Sequence, residues 1–163
     1  MTNIQMDRRS LLGGGALALV GIAMMRTPGT AEATGFRVQH SPAEWERMLG
    51  PKRYAVLRQA ATERAFSSPL DDEHRKGIFV CAGCALPLYS SATKFDSGTG
   101  WPSFWRPLPH AVVTKSDRSL LAARTEVLCA RCGGHLGHVF DDGPKPTGLR
   151  YCMNGLALKF RPA

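Results

Sequence analysis

Five cysteines constrain this 163-residue chain more than any other feature of it. Four form two C-x-x-C knuckles, Cys81-Ala-Gly-Cys84 and Cys129-Ala-Arg-Cys132. The fifth, Cys152, stands about twenty residues past the second. Two knuckles can each offer two thiolates to one tetrahedral ion, and zinc favours that all-sulfur set. Such a structural zinc contributes on the order of 10 kcal/mol of folding free energy. The 44 residues between the knuckles exceed what a minimal zinc ribbon needs, so that segment must belong to the fold. Two other pairings use the same residues. The knuckles can close as local disulfides in an exported protein, or Cys129, Cys132, His135 and His138 can form a Cys2His2 site. The doubled knuckle favours the four-sulfur site with one zinc per chain.

Residues 1–33 read as a leader and 34–163 as one domain. Arg8-Arg9 precedes an uncharged apolar stretch, Leu11 to Met25, and Ala31-Glu32-Ala33 fits the small-x-small cleavage pattern. The adjacent arginines suggest a twin-arginine signal, although Asp7 and Leu11 are uncommon beside it. The stretch is short and Gly-rich, which suits a signal better than a membrane span. The alternative is an uncleaved anchor, which would leave the protein at the membrane. The expectation is therefore a periplasmic or otherwise exported protein, folded and metal-loaded before export. The formal charge is +8, from 21 basic and 13 acidic residues. No cluster of five or six basic residues appears, so nucleic acid is not an expected partner. A solvated basic face favours acidic partners instead.

The domain starts with helices and continues with strands. Ser41-Pro42-Ala43-Glu44 is a capping box with Pro at the first helical position, followed by Trp45, Met48 and Leu49 at helical spacing. Gly50 stops this helix, and the pattern predicts a second from about Lys52 to about Thr62. Strands are expected at Ile78–Cys81, Ala111–Val113 and Leu120–Leu128, with Ser116-Asp117 as a turn between the last two. Val139-Phe140 should end at the turn Asp141–Pro144, and Tyr151–Phe160 should be the final strand. Segregated helices and strands argue for a mostly β domain with a helical N-terminal flank.

Cys152 is the thiol left over, in Arg150-Tyr151-Cys152-Met153-Asn154. A fifth Cys is a candidate reactive group or a small buried hydrophobe. Strand alternation places Arg150 and Asn154 on its face. His135 and His138 lie in a Gly-rich segment read as a turn, Gly133 to His138. Imidazole and guanidinium groups nearby would hold Cys152 as thiolate below its free pKa of ~8.5.

From about His40 to Phe160 the chain resembles the methionine-R-sulfoxide reductases, the B-type enzymes. Beside the knuckles, the matching segments are Leu86-Pro-Leu88, Lys94-Phe-Asp-Ser97, Gly100-Trp-Pro-Ser-Phe104, Gly134-His-Leu-Gly-His-Val-Phe140, Asp142-Gly-Pro144, Pro146-Thr-Gly148 and Arg150–Asn154. They occur in family order over nearly the whole mature chain. The resemblance implies a pair of antiparallel sheets, sandwich-like, tied at one end by a structural zinc on Cys81, Cys84, Cys129 and Cys132. It implies Cys152 as catalytic nucleophile. His135, His138 and Asn154 would position the substrate and its oxygen, and Trp101 would pack on the substrate methyl. Outside the resemblance, the commoner role for a tryptophan such as Trp101 is an ordinary core aromatic.

The implied reaction repairs methionine-R-sulfoxide, in oxidised proteins or free. The thiolate attacks sulfur, His138 or His135 protonates the oxygen, and Cys152 becomes a sulfenic acid. Many members carry a second, resolving cysteine just before Gly-Trp-Pro-Ser-Phe, where this chain has Thr99. A thioredoxin-like domain or a small thiol is then the expected reductant. Two other classes use the same residues: a zinc-knuckle binding module without catalysis, and a metal-dependent hydrolase on His135 and His138, for which no H-E-x-x-H-like motif is present.

Overall fold

The computed structural model describes residues 35–118 and 123–163. The expected leader, residues 1–33, lies outside the described residues.

The chain enters through a helical element, α1 (Pro42–Gln59). Ser41 caps it reciprocally with Glu44: the Ser41 side chain accepts from the Glu44 N–H, and the Glu44 carboxylate accepts from the Ser41 N–H at 2.8 Å. Gly50 breaks the helical path at φ 70°, and Pro51 starts the second half with its φ already set. The second half stops earlier than the sequence pattern predicts. Ala60 turns left-handed, and the N–H groups of Ala60 and Ala61 both reach back to the Ala55 carbonyl, closing the last turn. Thr62 and its successors are thereby released from the helix.

Among the described residues nine strands follow, all paired antiparallel in two sheets. The small sheet has the order β2 (Pro87–Ser90), β1 (Gly77–Cys81), β9 (Leu158–Pro162). The large sheet has the order β3 (Lys94–Phe95), β4 (Ser103–Phe104), β8 (Arg150–Met153), β7 (His135–Phe140), β6 (Arg124–Cys129), β5 (Val112–Asp117). The mostly β fold with two antiparallel sheets is as the sequence implies. The core lies between the sheets. Phe79 on β1 meets Phe104 on β4 edge-on with ring centroids 4.9 Å apart. Tyr89 on β2 stacks on Phe104 at 4.4 Å and donates its hydroxyl to the Met153 sulfur at 3.1 Å. All four are fully buried. Offset and edge contacts of this kind add to the burial of large apolar areas.

Three other expectations need correction. Ser116 and Asp117 belong to β5, opposite Thr125 and Arg124, and are not a turn. Residues 119–122, where the Leu120–Leu128 strand was expected to begin, lie outside the described residues. The segment Tyr151–Phe160 is not one strand. It splits at a 3-10 turn, Gly155–Ala157, which moves the chain from the large sheet to the small one. Gly155 is required there because a Cβ would run into the Ser68 side chain.

The two histidines also lie on a strand, β7, and not in a turn. Three residues apart on a regular strand, they would face opposite ways. A register shift opposite Val127 and Leu128 absorbs one residue and returns both rings to the same side, with centroids 5.5 Å apart. Gly137 lies between them. Any side chain on it would collide with the Cys152 carbonyl on β8, so glycine permits the close approach of the two strands.

Candidate active site and four-cysteine cluster

The knuckles are built alike. In each, the first Cys N–H donates to the carbonyl five residues on (Leu86, Gly134), and its carbonyl accepts from the N–H four residues on (Ala85, Gly133). That fourth residue is left-handed in both, at φ 59° for Ala85 and 67° for Gly133. The first knuckle follows β1 of the small sheet and the second follows β6 of the large one. Their four sulfurs lie within 4.8 Å of one another. Cys81 and Cys132 sulfurs are 3.7 Å apart, and those of Cys84 and Cys129 are 3.5 Å apart. A tetrahedral ion with sulfur at ~2.3 Å requires sulfur–sulfur edges of about 3.8 Å. A disulfide needs ~2.05 Å, and all five cysteines are free, so the local-disulfide reading does not describe this structure. The Cys2His2 alternative fails too, because His135 and His138 are not in the cluster. Hydrogen bonds among the four sulfurs push Cys81 and Cys132 up and hold Cys84 and Cys129 down. Protons shared among crowded thiols in this way would be displaced by a divalent cation.

Cys152 sits apart from this cluster, on β8 between β4 and β7. The register puts it directly opposite Ser103 on one side and His138 on the other. Direct cross-strand neighbours share a face, with Cβ atoms about 5 Å apart. Cys152, His138 and Trp101 line one cavity of about 130 Å³. It is well below the ~300 Å³ floor of typical pockets for drug-sized ligands, so it suits the end of a side chain rather than a large cofactor. Thr62, Arg124, Gly137, Phe140 and Asn154 complete its walls.

The imidazoles have different surroundings. His138 Nε2 lies 2.8 Å from Asp117 Oδ2, and Arg124 donates to the same oxygen at 2.7 Å. With Nε2–H directed at the carboxylate, Nδ1 is the nitrogen that can exchange a proton. His135 is buried behind His138 and lines a different groove. Its Nδ1 meets Glu126 Oε1 at 2.7 Å, while its Nε2 is buried with no hydrogen-bond partner among the described residues. Burial lowers the His135 pKa despite Glu126, so its resting form is neutral, donating through Nδ1–H. Glu126 stays ionised, with Lys115 as its second partner at 3.1 Å.

Asn154 lines the cavity, but its amide is already engaged. Nδ2 donates to the Leu136 carbonyl at 3.2 Å, and Oδ1 accepts from the Glu63 N–H at 3.0 Å. The Trp101 indole N–H donates to the Glu63 carbonyl at 3.2 Å. Arg150 is held by two hydrogen bonds to Asp142, at 2.8 and 2.7 Å, and lies over the Phe140 ring at 4.5 Å. Thr99 Oγ1 is 3.9 Å from the Cys152 sulfur, and Ser97 bridges Thr99 to Ser103 with hydroxyl contacts of 2.8 Å.

Sequence reasoning missed Thr62, Glu63, Asp117, Arg124 and Glu126. The charged residues of β5 and β6 carry a faint signal in strand alternation. Thr62 and Glu63 carry none, because they lie in a loop and meet the site only through tertiary packing. The expected thiolate also needs correction. Burial pushes the Cys152 thiol up, and this outweighs the opposing effects of Thr99, Arg150 and Ser103. A neutral thiol beside an oriented imidazole can pass its proton to that ring and attack an electrophile as it does so.

The SelR domain family matches residues 49–162. A peptide methionine sulfoxide reductase MsrB of Leptospira interrogans is 52% identical over 127 residues, covering 77% of this chain and 97% of that protein. Another, from Bradyrhizobium diazoefficiens, is 54% identical over 132 residues, covering 80% and 95%. The one from Agrobacterium fabrum is 49% identical over 133 residues, covering 81% and 98%. The chain belongs to the SelR-domain, or B-type methionine-R-sulfoxide reductase, family.

The raised Cys152 pKa has a measurable consequence. Alkylation of Cys152 by iodoacetamide, followed by mass spectrometry on metal-loaded protein, should accelerate with pH toward a midpoint above the ~8.5 of a free thiol. A midpoint below that value contradicts a neutral resting thiol.

Proposed function

We propose that this chain reduces methionine-R-sulfoxide, in oxidised proteins or free, to methionine, with Cys152 as nucleophile and a Cys152 sulfenic acid as intermediate. The observation that carries the reading is the juxtaposition of Cys152 and His138 across β8 and β7 inside a cavity walled by Trp101. Family membership supports methionine sulfoxide reduction as the activity.

The balance of the step follows from a neutral thiol. His138 takes the Cys152 proton as Sγ attacks the sulfoxide sulfur, and returns it to the sulfoxide oxygen. The transient Sγ–S bond and the substrate S–O bond then break as an Sγ–O bond forms, leaving methionine and Cys152–SOH. The cysteine sulfur loses the two electrons that the substrate sulfur gains, and no outside proton is consumed. His135, neutral and buried outside the cavity, packs against the His138 ring at 5.5 Å and supports its orientation. Asn154 fixes the adjoining wall. Trp101 offers a flat apolar face to the methyl group. Exchanging the methyl and oxygen of the other epimer would place a polar atom against indole, so the R epimer is selected.

The sulfenic acid is then reduced from outside. Thr99 occupies the place of a resolving thiol beside Cys152 and cannot form a disulfide. An external thiol attacks Cys152–SOH, water leaves, and a second thiol releases the mixed disulfide. A thioredoxin-like domain or a small thiol fits this role.

Mature protein with dithiothreitol should reduce the R epimer and spare the S epimer, and Cys152→Ser should lose at least about 10³-fold in rate. One turnover without reductant should leave sulfenic acid, or its mixed disulfide, on Cys152. Reduction surviving in Cys152→Ser would remove Cys152 as the nucleophile, and wild-type protein without reductase activity would favour a zinc-knuckle binding module without catalysis.

The four-cysteine cluster is assigned one structural zinc, on the sulfur–sulfur distances and the all-thiolate donor set. When bound, the ion ties the end of β1 to the end of β6 and takes no part in the chemistry at Cys152. Metal analysis of folded protein should find about one zinc per chain, with stripping by a chelator costing most of the stability. Less than a tenth of an equivalent would remove the assignment.

Export through the twin-arginine route is supported by Arg8-Arg9, the apolar stretch and Ala31-Glu32-Ala33. A periplasmic fraction from cells expressing the full chain should contain protein whose first residue is Thr34. Intact chain found only in the cytosol contradicts this.

A further inference from the structure

A half-buried carboxylate beside the cavity has no part in the reaction just described. Glu63 follows the left-handed end of α1, in a segment that runs past Trp101 and Asn154. Its carboxylate accepts from two consecutive backbone N–H groups of the 3-10 turn after the nucleophile strand, Gly155 and Leu156. The Leu156 bond is 3.1 Å long. Its backbone N–H donates to Asn154 Oδ1, and its backbone carbonyl accepts from the Trp101 indole. Three residues on, the Phe66 N–H donates to the Gly100 carbonyl at 2.7 Å, just before Trp101. Gly100 is left-handed at φ 85°, and a Cβ on it would collide with Phe66.

Each bond taken alone is ordinary. Together they join three segments far apart in sequence: the Thr62–Phe66 strap, the Gly100–Trp101 turn and the Asn154–Leu156 turn. Those segments supply Thr62, Trp101 and Asn154 to the cavity wall. The carboxylate is the only side-chain group of Glu63 in this set, and it fixes where the Glu63 backbone sits. Burial pushes its pKa up, against the lowering effect of the two N–H donors. A half-buried carboxylate is costly to place unless it makes such bonds.

We infer that Glu63 is a positioning residue for substrate selection: by pinning the strap to the turn after Cys152, it sets the distance between the Trp101 indole and the rest of the cavity. This inference rests on the proposal that Trp101 receives the substrate methyl. An indole tethered only through a backbone carbonyl moves whenever that backbone moves. If the carboxylate clamp is weakened, the wall loosens and the cavity admits a larger alkyl group. Cys152, on β8 between two paired strands, keeps its place.

The test compares methionine-R-sulfoxide with its ethyl homologue, ethionine-R-sulfoxide, in wild type, Glu63→Gln and Glu63→Asp. Gln retains one acceptor and turns an N–H2 toward a backbone N–H. Asp retains the charge but is too short to reach both donors. Iodoacetamide alkylation of Cys152 reports whether the nucleophile is intact. The variants should alkylate at the wild-type rate and lose at least about tenfold in kcat/KM for the methyl substrate, chiefly through KM. Their methyl-to-ethyl preference should fall by at least about threefold, as a looser apolar wall discriminates less by one methylene. A preference unchanged in variants that fold, or failure of both variants to fold, overturns the inference. Wild-type protein inactive on the methyl sulfoxide would instead sink the proposed reaction, a separate result.

Discussion

The sheets of this protein meet at one end through four sulfurs, and the rest of the architecture depends on that meeting. One knuckle hangs from β1 in the small sheet and the other from β6 in the large one. A domain of this size buries a modest core, here a layer of aromatic and aliphatic side chains between two sheets of unequal width. The proposed metal, bridging distant segments at the open end, would constrain the unfolded chain. The core and the cluster then act together: Phe79, Tyr89 and Phe104 fill the middle, and the sulfurs hold the edge.

The reactive end is built on different physics. Cys152 is not activated by a standing charge. Burial disfavours its thiolate, and Arg150 is drawn toward Asp142. What the fold supplies is geometry: a cross-strand imidazole, a carboxylate behind that imidazole, and a small cavity walled by Trp101. The β7 bulge brings the second imidazole to the same side, and Gly137 lets β7 and β8 approach closely. A thiol that ionises only when its proton has somewhere to go is protected from idle oxidation.

Much of the site was legible in the chain. The paired knuckles, the lone Cys152 and the two histidines stand out by residue type and spacing, and Trp101 only through the family resemblance. The short strands after Gly77 follow from alternation. Other features were misread for identifiable reasons. Tyr151–Phe160 alternates like one strand, yet the Glu63 carboxylate and the tight space beside Ser68 bend it between two sheets. The run from Gly133 to His138 looks like a turn because of its glycines. Only Gly133 turns the chain within the knuckle, and Gly137 is there for strand contact.

Residue chemistry and local spacing alone determined that four thiols are arranged for one ion, that a fifth is left over, and that the body is mostly β. Those properties need no knowledge of distant neighbours, since a knuckle or a strand carries its own pattern. The tertiary structure decided which imidazole faces the thiol, how the thiol ionises, and which loop steadies the indole. Each of these depends on burial and on hydrogen bonds between segments tens of residues apart, and no short stretch of chain encodes its own depth or its partners.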